Sequence, residues 1–248
     1  MRALTLSVVI ATLVAAPSVV SAQQPAPDQV TQVNRQHVRN LAQYESARKA
    51  HMAWHKSQSD AWAWNVYEIT TGPDTGAYLI ATGGHPWAEY DTWNAKMGAG
   101  DTADAQKTMA GTTEGTTTSY WVMLPAQSRA PATPSTSRYL SITYFQAKPG
   151  HGAALEAAVA KIKGALDAAK YAPHSIWYRL GSGGPGGMYA VVVPRASMSE
   201  MALPGPGPAL RAHLGEAQGA ALIKGLYDNV ESSRIEMVEH RPDLSYVP

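Results

Sequence analysis

A repeated hairpin is the feature that most constrains how this chain folds. Residues Trp62–Thr82 read WAWNVYEITTGPDTGAYLIAT, in which two apolar, aromatic-rich runs flank a Gly/Pro/Asp turn, the sequence form of a β-hairpin. The same form returns at His174–Pro194 as HSIWYRLGSGGPGGMYAVVVP. Tyr67 is matched by Tyr178 (178 − 67 = 111), and a second tyrosine and two glycines repeat at the same interval. This fixed interval predicts a tandem duplication of one structural unit.

Each half of the chain predicts the same order of elements: strand, helix, hairpin of two strands, helix, strand. The halves align without a gap from Val30–Gly83 to Ser141–Pro194. This order is the split βαβ unit, in which two helices cover one face of a four-stranded antiparallel sheet. We therefore predict an α+β fold of two tandem ferredoxin-like βαββαβ repeats, with antiparallel sheets packing into a barrel-like core.

The predicted boundaries follow from composition and periodicity. They are a signal peptide at 1–22, a disordered leader at 23–29, a first α+β repeat at 30–124, a Pro/Ser/Thr linker at 125–138, a second α+β repeat at 139–240 and an extended tail at 241–248. Within the first repeat, helical spacing predicts a helix from Leu41 to about Ser57 with Asn40 as its N-cap. The run PGPGP at Pro204–Pro208 predicts a loop, because proline and glycine break helices.

The N-terminus is typical of a secretory signal peptide. Arg2 precedes an apolar run at Leu4–Val20, and small residues lead to a cleavage site after Ala22. An uncleaved anchor is the alternative, but the run is at the short end for crossing a bilayer. We therefore expect a periplasmic or secreted protein that has no membrane contact after cleavage. With no cysteine in the chain, it must be stabilised by its core alone.

Charge and aromatic content restrict the partners. The formal net charge is +1, with both signs spread along the sequence, so no basic face is available for nucleic acid and none is expected as a partner. Seven Trp and twelve Tyr stand against one Phe. Most of the aromatic rings therefore have a polar group, which suits the wall of a pocket as well as a core.

The pattern resembles the dimeric α+β barrel superfamily. The residues that carry the resemblance are the Lys148–Gly150 turn before an Ala-rich helix and the pairs Tyr67/Tyr78 and Tyr178/Tyr189 across Gly-rich turns. Similar proteins include antibiotic-biosynthesis-monooxygenase-type domains, NIPSNAP-like proteins, uncharacterised exported bacterial proteins, chlorite-dismutase-like haem enzymes and dye-decolourising peroxidases. The resemblance implies a central cavity. It does not imply one reaction, because these proteins range from cofactor-free oxygenases and isomerases to haem enzymes and proteins without known activity.

Strand alternation assigns the hairpin side chains to two faces. The face of Tyr67 and Tyr178 is the more consistently apolar one in the second half, so we expect it to lie beneath the helices. The other face then lines the cavity, and its candidate ligand-binding residues are Trp64, Glu68, Trp177 and Arg179. Glu68 and Arg179 occupy equivalent positions, so their opposite charges are expected to meet each other or a shared ligand; a solvated, structural rim is the alternative.

No metal or cofactor is predicted. His51 and His55 have a spacing that can bind a metal, but Met52 replaces the glutamate of a His-Glu-x-x-His site. His51 also aligns with Ile162, a core position, so we interpret it as a histidine packed against the sheet. Haem is the alternative cofactor, and the candidate ligands are His37, His85, His151, His174, His213 and His240, of which His85 and His174 are the best placed.

Three functional classes remain open. The first is small-molecule binding in a Trp/Tyr-lined barrel cavity, in the manner of a cofactor-free oxygenase or isomerase. The second is a haem-binding peroxidase-like or dismutase-like enzyme, and the third is a non-catalytic exported interaction module. The sequence leaves open whether the chain is an enzyme and whether it is a monomer or a homodimer.

Overall fold

The computed structural model describes residues 28–131 and 137–248. The predicted signal peptide, its cleavage site, most of the leader and the middle of the linker lie outside these residues. No helix in the described part of the chain combines the length and the apolar character needed to span a membrane.

The described part of the first half contains four strands and three α-helices. They are β1 Val30–Val38, α1 Leu41–Ser57, β2 Asn65–Ile69, β3 Tyr78–His85, α2 Trp87–Trp93, a π-helical turn Asn94–Gly98, α3 Ala99–Thr108 and β4 Thr113–Met123. The prediction of α1 is confirmed. Its N-cap is also as expected, since the side chain of Asn40 accepts a hydrogen bond from the backbone N–H of Gln43 at 3.0 Å.

The second half has the same number of strands and helices. They are β5 Tyr139–Ala147, α4 Gly152–Ala168, β6 Ile176–Ser182, β7 Met188–Arg195, a 3-10 turn Met198–Ala202, α5 Pro206–Leu214, α6 Glu216–Tyr227 and β8 Val230–His240. The predicted loop at Pro204–Pro208 is wrong in its last part, because α5 begins at Pro206. Proline is tolerated there, since the N–H it lacks would have no helical partner in the first turn.

All eight strands form one antiparallel sheet that closes into a barrel. The order around the barrel is β1-β3-β2-β8-β5-β7-β6-β4. In each half the strands follow the ferredoxin-like order, and the halves join where β2 pairs with β8 and β4 with β6. The expected packing of separate sheets is therefore replaced by one continuous sheet, because hydrogen bonding of the four edge strands leaves no open edge.

Buried side chains form three clusters that define the layers. One lies between the first-half strands and their helices and includes Tyr44 and Trp64. The second lies between the second-half strands and α4–α6 and includes Leu155 and Trp177. The third lies inside the barrel, around Ile142. The sheet thus has helices on its outer face and the barrel interior on its inner face, while the first parts of β4 and β8 stay exposed.

One tertiary contact occurs in both halves at the 111-residue interval. The hydroxyl of Tyr78 on β3 donates to Glu45 of α1 at 3.1 Å, and that of Tyr189 on β7 donates to Glu156 of α4 at 2.9 Å. In each half a buried phenol therefore ties the hairpin to the first helix through a carboxylate.

The hairpin turns give a matched test of the fold. Gly72 and Gly183 occupy equivalent turn positions with φ of +96° and +89°. Alanine costs about 1–2 kcal/mol of unfolding free energy at either position because of the left-handed backbone. A Cβ at Gly183 would also collide with the carbonyl oxygen of Thr118, whereas at Gly72 the nearest atom is 3.6 Å away. We expect Gly183→Ala to destabilise by about 1–3 kcal/mol more than Gly72→Ala in urea unfolding. Equal losses would contradict the packing of the second turn.

Candidate functional site

The barrel encloses a cavity of about 810 Å³, which is the candidate binding site. Its wall is mostly apolar and includes Val33, Leu79, Trp121, Ile142, Leu180 and Val192. Exposed residues reach the lining at both ends of the barrel: Gln29 and Gly84 at one end, and Gly184 of the β6–β7 turn at the other. A volume of this size with an apolar wall is typical of small-molecule sites.

The predicted assignment of strand faces is reversed. Tyr67 and Tyr178 line the cavity, whereas Trp64 and Trp177 belong to the clusters beneath the helices. The alternation itself is correct. Both strand faces are buried in a barrel covered by helices, so apolar content does not distinguish the inner face from the outer one.

The two charged residues of the predicted pocket also lie on the outer face. Glu68 accepts a hydrogen bond from Arg241 of the C-terminal segment at 2.9 Å, and Arg179 donates to Glu156 of α4 at 3.0 Å. They are therefore paired with other residues, and neither they nor Trp64 and Trp177 belong to the described lining. A ligand-binding role for these four residues stays a prediction.

Three polar residues of the cavity lining lie on equivalent hairpin strands of the two halves. They are Asn65 and Tyr67 of β2 and Tyr178 of β6. The Oδ1 atom of Asn65 is buried and has no hydrogen-bond partner among the described residues. Burial, with a smaller contribution from nearby Tyr178, raises the pKa of Tyr67 to about 12. Burial also raises the pKa of Tyr178. Both phenols are therefore neutral hydrogen-bond donors at physiological pH.

A largely buried ionic network lies at the end of the cavity near the β2–β3 turn. Arg35 of β1 contacts Glu236 of β8 at 2.7 Å and Asp74 of the turn at 2.7 Å, and Tyr144 of β5 donates to Glu236 at 2.8 Å. Glu236 is only 1% exposed. Arg234 adds a second cation, 3.2 Å from Glu236. The network joins strands of both halves, and its two arginines are the cations of the lining.

Sequence reasoning missed this network for a simple reason. Arg35 and Glu236 are 201 positions apart, so no local pattern connects them. The available signal was strand parity: Glu236 and Arg234 alternate in phase with Val238, and Arg35 with Val33. That signal is useful only once the inward face of each strand is known.

The described lining does not fit an imidazole-ligated haem. It contains no histidine and no cysteine. The ring of His85 stacks on Trp62 at 3.9 Å, and Nδ1 of His174 lies 3.1 Å from the backbone oxygen of Arg129, so both of the favoured candidates lie elsewhere. Burial keeps the phenol of Tyr67 neutral, which disfavours it as a phenolate ligand.

Comparison with known proteins identifies the fold. No family model matches the chain, and no curated protein matches it. Among solved structures it is similar to a proposed monooxygenase from Lactobacillus acidophilus NCFM, with a TM-score of 0.56 and 8% identity over 89% of this chain and 96% of that one. It is also similar to a proposed chlorite dismutase, with a TM-score of 0.53 and 8% identity over 87% of this chain and 96% of that one. A third similar structure is an anthrone oxidase-like protein, with a TM-score of 0.50 and 11% identity over 86% of this chain and 91% of that one. At these identities the similarity shows a shared α+β ferredoxin-like architecture with an antiparallel sheet.

The buried phenol of Tyr67 predicts loss of stability in alkali. Its pKa of about 12 in the folded protein exceeds the value of about 10 in an unfolded chain. The neutral phenol therefore contributes stability that is complete below pH 10 and is lost as pH rises toward 12, because the unfolded state ionises first. The unfolding free energy of the wild type should fall between pH 9 and pH 11. We expect this fall to be about 1 kcal/mol smaller in Tyr67→Phe, as measured by urea unfolding. Identical pH profiles for wild type and variant would contradict burial of this hydroxyl.

Proposed function

We propose that the protein binds a small, largely apolar organic molecule inside the barrel. The observation that carries this proposal is the cavity of about 810 Å³, whose mostly apolar wall includes the neutral phenols of Tyr67 and Tyr178. A neutral phenol can donate a hydrogen bond to an oxygen atom of a bound molecule. The ligand we propose is therefore a flat aromatic or polycyclic molecule that carries hydroxyl or carbonyl groups.

The reaction class that we propose is cofactor-free oxygenation or isomerisation. In such chemistry the substrate loses a proton to water and forms an enolate or phenolate. Dioxygen then oxidises this anion in an oxygenation, or the proton returns at another atom in an isomerisation. Neutral donors held in an apolar site stabilise the developing negative charge. Tyr67 and Tyr178 line the cavity and are the donors that we propose for this role. The named monooxygenase and anthrone oxidase-like neighbours support this class through the fold alone.

We also propose that the chain arose by duplication of one βαββαβ unit. The support consists of the 111-residue interval, the equivalent strand order in each half and the repeated contact between a tyrosine and a glutamate. On this proposal Tyr67 and Tyr178 are the duplicated pair that contributes one donor from each half to a shared cavity.

Two adjacent residues on opposite strand faces provide the test of the binding site. Anthrone, a tricyclic ketone, is a suitable probe, and isothermal titration calorimetry measures its affinity. We expect Tyr178→Phe to weaken binding by about two- to tenfold, the value of one hydrogen bond. Ala81→Phe, which fills part of the cavity, should abolish binding. The matched control Arg179→Met should leave binding unchanged, because that side chain lies outside the barrel on Glu156.

The opposite pattern would contradict the proposal. Weaker binding in Arg179→Met together with unchanged binding in Tyr178→Phe and Ala81→Phe would place the ligand on the helix side of the sheet. For the reaction class, the measurement is oxygen uptake by the wild type with anthrone and no added metal or haem, compared with Ala81→Phe. Equal rates in the two proteins would exclude catalysis in the cavity.

The proposed export is tested on the mature protein. We expect expression of the full chain in a bacterial host to yield a protein in the periplasm or the medium that begins at Gln23, because cleavage follows Ala22. N-terminal sequencing and intact mass measure this directly. A protein that retains Met1 or the apolar run would contradict cleavage.

A further inference from the structure

Two histidines of α1 and one aspartate of α3 converge outside the barrel. Ligand-type atoms of His51, His55 and Asp101 all lie within 4.8 Å of one another. Nε2 of each histidine faces the same atom, Oδ1 of Asp101, at 3.3 Å in both cases. The histidine side chains are 6% and 1% exposed and that of Asp101 is 27% exposed. The cluster is therefore open to solvent only on the side of the carboxylate.

Each imidazole also contacts a carboxylate of its own, which orients the ring. Nδ1 of His51 lies 2.8 Å from Oδ2 of Asp104, and Nδ1 of His55 lies 2.9 Å from Oδ2 of Asp60. An ionised carboxylate can only accept, so each Nδ1 carries a hydrogen and donates it. In the neutral imidazole this leaves a lone pair on Nε2, directed at Asp101. Metal-binding histidines in proteins are oriented by carboxylates in this way.

The carboxylate of Asp60 is fixed by four hydrogen bonds. It accepts hydrogen bonds from the backbone N–H of Trp62 at 3.1 Å and from the indoles of Trp64 at 2.9 Å and Trp93 at 3.0 Å, in addition to that from His55. The carboxylate behind His55 is therefore fixed in place by four donors.

The distance from each imidazole to the carboxylate matches the spacing of neighbouring ligands around a tetrahedral metal. Bonds of about 2.0–2.1 Å to a tetrahedral centre place neighbouring ligand atoms about 3.3–3.4 Å apart. The two distances from Nε2 to Oδ1 are 3.3 Å.

The second half of the chain shows that the fold does not require these histidines. The positions of α4 at the 111-residue interval are Ile162 and Leu166, and both are buried in the apolar core. Burying two imidazoles among carboxylates has a desolvation cost that an aliphatic pair avoids. The departure from the apolar pattern in α1 therefore indicates a role beyond packing.

The backbone before α3 is adapted to the cluster. A π-helical turn at Asn94–Gly98 precedes α3, and such turns occur frequently at functional sites. Gly100 lies against Trp54 of α1, where a Cβ would be 3.0 Å from the indole. Asp101 and Asp104, one helical turn apart, both reach α1 as a result.

We propose that His51, His55 and Asp101 bind a divalent transition-metal ion, most specifically Zn²⁺, with a fourth position open to water on the side of Asp101. Two imidazoles and one carboxylate suit Zn²⁺, whereas Mg²⁺ and Ca²⁺ prefer oxygen ligands alone. Zinc sites in which three protein ligands leave a fourth position to water are common in proteins. The ion joins α1 to α3, and Asp60 and Asp104 act as positioning residues.

The experiment uses the full chain after removal of metal with a chelator. Titration calorimetry with Zn²⁺ should show one equivalent bound in the micromolar range or tighter, while Mg²⁺ shows no binding. Co²⁺ should produce the intense visible absorption of a four-coordinate ion. Asp101→Asn should weaken Zn²⁺ binding by at least about 100-fold, and Asp104→Asn by about 10- to 100-fold with stoichiometry retained.

The variants separate a metal site from a packed histidine pair. His51→Ile combined with His55→Leu copies the second half and should abolish binding while the protein stays folded. His151→Gln, which removes a histidine that contacts Asn229 elsewhere, should bind as wild type does. If the double variant does not fold, the partly exposed Asp101→Asn decides alone. Zn²⁺ affinity equal to wild type in Asp101→Asn, or millimolar affinity in the wild type, overturns the proposal.

Discussion

The pairing of edge strands between the two halves is the interaction on which the rest of the structure depends. Each half contains a four-stranded sheet with two edges, and backbone hydrogen bonds from β2 to β8 and from β4 to β6 join all four edges. Closure removes unpaired backbone groups and creates an interior that neither half has alone. The cavity, its two inward tyrosines and the network around Arg35 and Glu236 all follow from that closure.

Closure also explains why the strand faces were assigned the wrong way round. In an open sheet with one wet face, alternation of apolar and polar residues identifies the buried side. Here the inner face of a strand borders the cavity and the outer face lies under helices, so large apolar residues occupy both. Trp64 and Trp177 fill the space beneath the helices, whereas Tyr67 and Tyr178 form part of the cavity wall. The outer charges are paired with partners supplied by α4 and the C-terminal segment.

The two candidate sites lie on opposite sides of the same sheet, and each could be predicted only in part from the sequence. For the cavity, the paired tyrosines were visible as a repeat, but the asparagine and the arginine network were not. For the cluster on the helices, the spacing of His51 and His55 was visible, but Asp60, Asp101 and Asp104 were not. In both cases the residues within one element could be recognised, and their partners on other elements could not.

The sequence by itself determined the local structure and the order of elements. Helix α1 with its Asn40 cap, the glycines of both turns and the order of helices and strands along each half follow from periodicity and backbone preferences, which act over a few residues. Only the tertiary structure decided which strand face looks inward, that the tail packs Leu244 into the core, and which carboxylates meet the histidines. Those outcomes depend on contacts between residues tens to hundreds of positions apart, where the geometry of barrel closure decides which side chains meet.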